Sequence, residues 1–407
     1  EKPQTAEKRG LRTMSSIDRV AVEAARNVPR QLKSNFQTVL ACRGAADQPP
    51  RLPACGLTAP REVRRETRLG ELLMVLRRCV RALGTVLPAA ILILASSRPV
   101  VCGKVKPAIK PSTVQFKLPI WSGGPGEGAE ASLSASDLKI TVGKSPVTVS
   151  ALKGPESPAL LFVALDTVGD IANINEARKT VVEEIKALGS QFWAGLISAQ
   201  EQMQVLQEPT ADRSVLQQKL EELTQIGKAG LLESIQPIAD LATGVLLNSG
   251  VRVAVVFITD SDIGNYRADY LNPPVNASDS RDLSRRFAGR ALQEKISHMA
   301  ALMARTQVPV FIVHIDPGLD PLNRSYHNGL KQLAEGSGGR CLLSKTSGDI
   351  PLTIHEAFQW AKSFYLAEFS LQREKSGYAR IQISPVVSED GKALVPRLIH
   401  PARVFVP

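Results

Sequence analysis

Two predominantly apolar runs dominate the hydrophobic pattern of the chain. Residues 159–165 are seven apolar residues that end on Asp166, followed by Thr167-Val168-Gly169 and a second carboxylate, Asp170. Residues 251–259 (VRVAVVFIT) end on Asp260-Ser261-Asp262. Runs of this length, bounded by turn residues, predict strands buried on both faces of a sheet. Their terminal carboxylates would then stand at the C-terminal lip of an open sheet, where α/β folds place ligands. Around these strands the pattern switches to a helical period. Val181, Val182, Ile185 and Leu188 line one face of a helix that begins near Asn173 and stops at Gly189. A strand follows at 191–197, then a short edge piece at 203–206 and a helix capped by Asp212 that runs to Leu223. A longer helix at 230–247 precedes the second apolar run.

Residues 260–285 are polar, contain Asn272-Pro273-Pro274, and predict an excursion over the surface. Beyond it come a helix at 286–306, a strand at 308–314, a helix at 322–335 ended by Gly336, a strand at 338–343 and a helix at 350–364. Alternation of this kind implies right-handed crossovers and an α/β fold. The expectation is a doubly wound, mostly parallel, Rossmann-like sheet over residues 158–364, with a small N-terminal β module and C-terminal β strands.

The small β module is placed at 99–157. Residues 114–120 alternate apolar and polar, and WSGGPGEGAE (121–130) breaks the pattern. Residues 138–142 and 147–152 flank Gly143-Lys144 and read as a hairpin. The Gly-rich piece at 122–128 lacks the Lys-Ser/Thr of a phosphate loop and reads as a surface loop. Residues 365–407 carry the C-terminal strands.

Upstream, residues 1–73 form a basic, Pro-containing leader without an apolar period, read as unstructured or as a mis-assigned upstream region. At 74–97, Arg77, Arg78 and Arg81 precede an apolar stretch and the small residues Ala95-Ser96-Ser97. That is the layout of a signal peptide, and the stretch is shorter than the roughly 20 residues of a spanning helix. Export to the periplasm, cell envelope or medium is the expectation. Membrane contact is confined to the signal peptide or to a lipid at Cys102, whose preceding Val101 is not the small residue a lipoprotein signal wants. The five cysteines match no metal spacing and no disulfide framework.

The net charge of +11 points at nucleic acid until it is located. Residues 1–110 hold 21 Lys and Arg against 8 Asp and Glu, leaving 29 against 31 for the rest. The folded part is nearly neutral and carries no basic stripe with interleaved aromatics, so no nucleic-acid partner is expected. No Gly-x-Ser-x-Gly elbow or His-Glu-x-x-His is present. His355-Glu356 lacks a second histidine, and His314 at the end of a core strand reads as a hydrogen-bonded structural residue. No catalytic residue is assigned, and the chain is read as a non-enzyme.

The Asp166 strand end, Gly227-Lys-Ala-Gly-Leu-Leu-Glu233 before a helix, Phe257-Ile-Thr-Asp260 and Gly338-Gly339-Arg340 occur in an order that resembles the von Willebrand factor type A domain. The chain looks most like the VWFA-related domain of secreted acidobacterial proteins, over about 112–407. That resemblance implies protein binding or adhesion at the C-terminal rim of the sheet, and it implies a metal-ion-dependent adhesion site. The family's site has the pattern Asp-x-Ser-x-Ser with a Thr and an Asp from two further loops, because a hard divalent cation takes about six oxygen ligands.

Here Val168 replaces the first serine, Asp170 the second, and Ala229 the threonine, while Asp166 and Asp260 match. The site is therefore degenerate. Either Asp166, Asp170 and Asp260 rebuild a weak Mg²⁺ or Mn²⁺ site, or Lys228 supplies positive charge and no cofactor is bound. Thr167, Lys228, Ser261 and Asp262 are the candidate partner-binding rim, for a protein ligand that the residues do not identify. Two alternatives stand beside this one: a metal-dependent hydrolase using the three carboxylates, and a purely structural envelope component.

Overall fold

The computed structural model describes residues 113–124, 133–224, 227–263, 280–316, 318, 321–372, 376–385 and 397–407. The leader, the signal-peptide stretch, Cys102 and residues 264–279 of the polar excursion lie outside them. The described chain opens with β1 (Thr113–Ser122), β2 (Leu138–Val142), β3 (Ser145–Val147) and β4 (Val149–Lys153). It then alternates through β5 (Ala159–Asp166), α1 (Ile171–Lys186), β6 (Phe192–Ser198), β7 (Gln204–Thr210), α2 (Arg213–Glu222) and α3 (Leu231–Asn248). The alternation continues with β8 (Arg252–Thr259), α4 (Ser280–Met303), β9 (Val310–Ile315), α5 (Pro321–Gly336), β10 (Cys341–Ser344) and α6 (Ile350–Ser363). The chain closes with β11 (Tyr365–Gln372), β12 (Gly377–Pro385), β13 (Leu398–Ile399) and β14 (Arg403–Val406).

The central sheet has the order β10-β9-β8-β5-β6-β7 and is parallel except for the antiparallel edge strand β7. The two apolar runs sit side by side at its centre, in register from Ala159–Arg252 to Asp166–Thr259, and every residue of both is buried. Helices cover the sheet. Helix α1 turns Ile174, Ala177, Val181 and Ile185 inward, and α6 turns Ile350, Ile354, Ala357 and Phe358 inward. Each fully buried Ile, Leu or Phe in this core contributes about 1.5–3 kcal/mol relative to exposure. The α/β expectation holds: a mostly parallel sheet flanked by helices.

The segments before and after the α/β unit build one second core together. Strands β13-β1-β11-β4 form one antiparallel sheet and β14-β12-β2-β3 another. Between them lie Phe116, Leu118, Ile140, Val142, Phe369, Ile381 and Val406, all buried. Strand β1 runs antiparallel to β11 from Thr113–Gln372 to Ile120–Tyr365, with the Phe116 and Phe369 rings stacked at 5.5 Å. A hairpin forms at the expected turn, but its return strand is β3 (Ser145–Val147) rather than 147–152; Gly143 closes it at φ +65°, a left-handed conformation that glycine takes without Cβ strain. Strand β4 leaves that hairpin for the other sheet and pairs with β11. Likewise β11 and β12, adjacent in sequence, lie in different sheets. Pairings between residues more than two hundred positions apart leave no mark on local periodicity.

The two cores meet at the N-terminal end of the central sheet. Trp121 of β1 donates from Nε1 to the Trp360 carbonyl (2.9 Å) and packs edge-on to Phe311. Lys117 Nζ donates to the carbonyls of Leu246 (2.7 Å) and Ser249 (3.1 Å) at the end of α3. Arg252, fully buried at the start of β8, donates to the carbonyls of Pro155, Ser157, Lys362 and Phe364. Three of those carbonyls belong to the two segments that join the α/β unit to the flanking sheets, and the Lys362 carbonyl lies in the last turn of α6.

Candidate functional site

Parallel strands followed by helices place helix N-termini, with their unpaired N–H groups, at the C-terminal rim of the sheet. The rim of this sheet is organised by two carboxylates that accept such groups. Asp166, fully buried, accepts from the backbone N–H of Gly230 (2.8 Å) and of Leu231 (3.1 Å), and from the Thr259 hydroxyl (2.9 Å). Its carboxylate thereby holds the start of α3 against the end of β5. Burial, which outweighs these three hydrogen bonds, raises its pKa to about 7.

Gly230 is required here, because a Cβ would collide with the Ala199 carbonyl oxygen and the Glu201 amide. Glu201, itself at φ +56°, donates its N–H to the Lys228 carbonyl (2.8 Å) and fixes the loop from the other side.

Asp260 does for the first rim loop what Asp166 does for the second. It accepts from the N–H groups of Val168 (2.9 Å) and Gly169 (2.7 Å), and burial is the main cause raising its pKa. Asp170 does not turn toward these two. It is the N-cap of α1, exposed, with Oδ1 accepting from Ala172 N (2.7 Å) and Asn173 N (3.4 Å).

The four predicted partner-binding residues divide. Thr167 and Ser261 are buried at 3% and 0% exposure, and so support the rim from beneath. Lys228 is exposed and Asp262 half-buried. Ile171, which the sequence reading did not single out, is 69% exposed beside the Asp170 cap.

The geometry bears directly on a cation. Both oxygens of Asp166 and both of Asp260 already accept hydrogen bonds, and Asp170 Oδ1 caps a helix. Val168 and Ala229 have no side-chain oxygen to offer. Among the described residues no group of three or more His, Cys, Asp or Glu side chains is placed to hold a metal ion.

A polar network extends sideways from this rim. Thr259 and Ser261 hydroxyls lie 2.7 Å apart, and Ser261 Oγ is 2.9 Å from Tyr326 Oη. The Ser261 carbonyl can only accept, so His314 Nε2 donates to it (2.9 Å). His314 Nδ1 is then an acceptor, and His327 Nδ1–H donates to it across 3.0 Å. Burial pushes the His314 pKa down to about 4 and is the main cause lowering that of His327. Reading His314 as a hydrogen-bonded strand residue agrees with its position. His327, which reads as isolated in the sequence, is instead paired with His314, and Tyr326 was missed, because one turn of an amphipathic helix gives no sign of which strand end it will face. His355 pairs with Glu184 (2.6 Å) on the helix surface.

No family model matches the chain, and no curated protein matches it. Among solved structures it is similar to the vWF domain of the type V pili tip protein from Porphyromonas gingivalis, at 14% identity. That match covers 51% of this chain and 95% of the other, with a TM-score of 0.36. It is also similar to a von Willebrand factor type A structure from Catenulispora acidiphila, at 8% identity over 72% of this chain and 73% of that one, with a TM-score of 0.35. A third is proximal thread matrix protein 1 from the mussel byssus, at 10% identity over 52% of this chain and 50% of that one, with a TM-score of 0.34. At these identities the likeness to von Willebrand factor type A domains concerns the fold alone.

Proposed function

We propose that the C-terminal rim of the central sheet is a protein-binding surface that works without a bound metal, on an exported, non-enzymatic chain. The observation that carries this reading is the internal satisfaction of Asp166 and Asp260. Their oxygens accept backbone N–H groups from two rim loops, so the loops are pre-organised by hydrogen bonds in the position where a divalent ion would otherwise tie them. The residues present do not fit a hard cation. Its ligands would have to be taken from helix starts and loop amides, and two of the expected donor positions are Val168 and Ala229. Around the pre-organised loops the rim exposes Gly169, Asp170, Ile171 and Lys228, a mixture of one apolar anchor and separated charges suited to a protein partner. Export rests on residues 74–97, which lie outside the described residues.

Photo-crosslinking residues placed at positions 171 and 228, with position 247 on α3 as a distant control, test this in the exporting cell. Adducts of defined mass from the rim positions alone are the expected result. Equal labelling from all three, or none, overturns the rim as a binding surface. Independently, excess Mg²⁺, Mn²⁺ or chelator is expected to leave the melting temperature of the chain unchanged. A rise with metal that disappears in Asp260→Ala overturns the metal-free reading.

A further inference from the structure

Beyond the ends of β9 and β10 lies a cavity of about 350 Å³, separate from the Asp166–Asp260 loops. Its size is that of a small-ligand pocket. Arg324, Asn328 and His327 line it from the first turns of α5, and Leu343 and Lys345 from the end of β10. We propose that this cavity binds a small organic carboxylate with an apolar body. The inference stands apart from the rim's role as a protein-binding surface.

Three features select that chemistry. First, the described lining residues include Arg324 and Lys345 and no acidic side chain. Neither base has an ion-pair partner among the described residues, and both residues are exposed. A fork of guanidinium and ammonium on one cavity suits an oxyanion. Second, the walls are mostly apolar, with Leu343 among the residues that form them. A bare anion would leave them wet, whereas a short apolar body covers them.

Third, His327 is already oriented. Its Nδ1–H is committed to His314, whose own Nε2–H is committed to the Ser261 carbonyl. Only Nε2 of His327 is left for the cavity, as an acceptor when neutral and as a donor once protonated. Among the described residues, the charged and titratable groups near this ring are Arg324 and Lys331 on its own helix, neutral His314 on β9, and Lys345 across the cavity. Burial and Lys331 keep the ring neutral in the free chain. A bound carboxylate reverses that balance, so binding takes up a proton and tightens as pH falls.

Calorimetric titration of the full chain with benzoate, and with inorganic phosphate as a headgroup-only probe, tests the assignment. Benzoate is expected to bind at about pH 6 and to weaken severalfold by about pH 8, because imidazole gains its proton in this window. Arg324→Gln and Lys345→Gln are each expected to weaken it about tenfold, the scale of one charge-assisted hydrogen bond. Both side chains are exposed, so unchanged melting temperatures should show that these variants fold. His327→Gln is expected to retain binding at about pH 8 but to lose the pH dependence. Equal benzoate affinity in the Arg324→Gln/Lys345→Gln double variant, or no binding at either pH, overturns the site. Phosphate binding without benzoate binding overturns the apolar-bodied carboxylate.

Discussion

The two ends of the central sheet solve one electrostatic problem with opposite signs. At the C-terminal rim, helix starts and loops present N–H groups, and the buried side chains that meet them are carboxylates: Asp166 under α3 and Asp260 under the loop at Val168-Gly169. At the N-terminal base, helix ends and crossing segments present carbonyls, and the side chains that meet them are cations. Arg252 faces Lys362 and Phe364 at the end of α6, and Lys117 faces Leu246 and Ser249 at the end of α3. The polarity of α/β crossovers dictates the choice, since orphaned N–H groups gather at one end and orphaned C=O groups at the other. The difference lies in what surrounds them. The base is closed over by the second core through Trp121, while the rim remains open to solvent at Gly169, Asp170, Ile171 and Lys228. One end holds the molecule together and the other is left available for contact.

The comparison breaks first, and hardest, at Arg252. Arg252→Met removes the donor from four carbonyls, of which the Phe364 bond is wholly buried. Orphaned buried acceptors cost about 1–3 kcal/mol each, less what water recovers, so a loss of about 4 kcal/mol is expected in urea unfolding. A loss near zero would mean the base is held by packing alone.

At the rim, Asp166→Asn turns one acceptor into a donor facing backbone N–H groups, with an expected loss of about 2 kcal/mol near neutral pH. The pH dependence sharpens this. The folded pKa of Asp166 is raised to about 7, so its favourable contribution is full below about 4 and fades as pH rises through about 7. His314 has its folded pKa lowered to about 4, so its contribution is present above about 6.5 and is lost as pH falls through about 4. The two slopes oppose each other in one window, each at most about 1.4 kcal/mol per pH unit. Compared with the unsubstituted chain, Asp166→Asn should gain stability more steeply as pH rises from about 4 to about 6.5, and His314→Gln less steeply. Parallel profiles for all three proteins would contradict the assigned environments.

Trp121→Phe tests the closure of the base more gently. It keeps a ring against Phe311 but loses the hydrogen bond to the Trp360 carbonyl, for about 1 kcal/mol. Smallest of all, Ile171→Ser and Lys228→Ala should change stability by less than about 0.5 kcal/mol, as exposed positions do. They should nonetheless reduce crosslinking at the rim. A large stability loss from either would give these side chains a structural role and remove them from the proposed contact surface.

The central sheet was legible because β5 and β8 are buried on both faces and write that burial as continuous apolar sequence. The helices were legible because Val181 and Ile185, or Ile354 and Phe358, repeat at the helical period. The rim carboxylates could be placed at strand ends for the same reason. What each carboxylate bonds to could not be read. Asp170 turned to its own helix as a cap, Asp166 to amides 64 and 65 residues away, and Asp260 to amides 91 and 92 residues back. The second core was legible only as loose strands on either side of the α/β unit, and nothing local to VRVAVVFIT marks Arg252 as the donor to four carbonyls.

By itself, then, the sequence determined the class of each element and the end of the sheet at which acidic side chains would stand, since local periodicity and strand length are properties of neighbouring residues. The tertiary structure alone decided which amides those acids would accept, that Arg252 would close the base, that β1 would pair with β11, and that His327 would be brought to His314. Each of these joins groups on different elements, through hydrogen bonds whose geometry exists only once the sheet has formed.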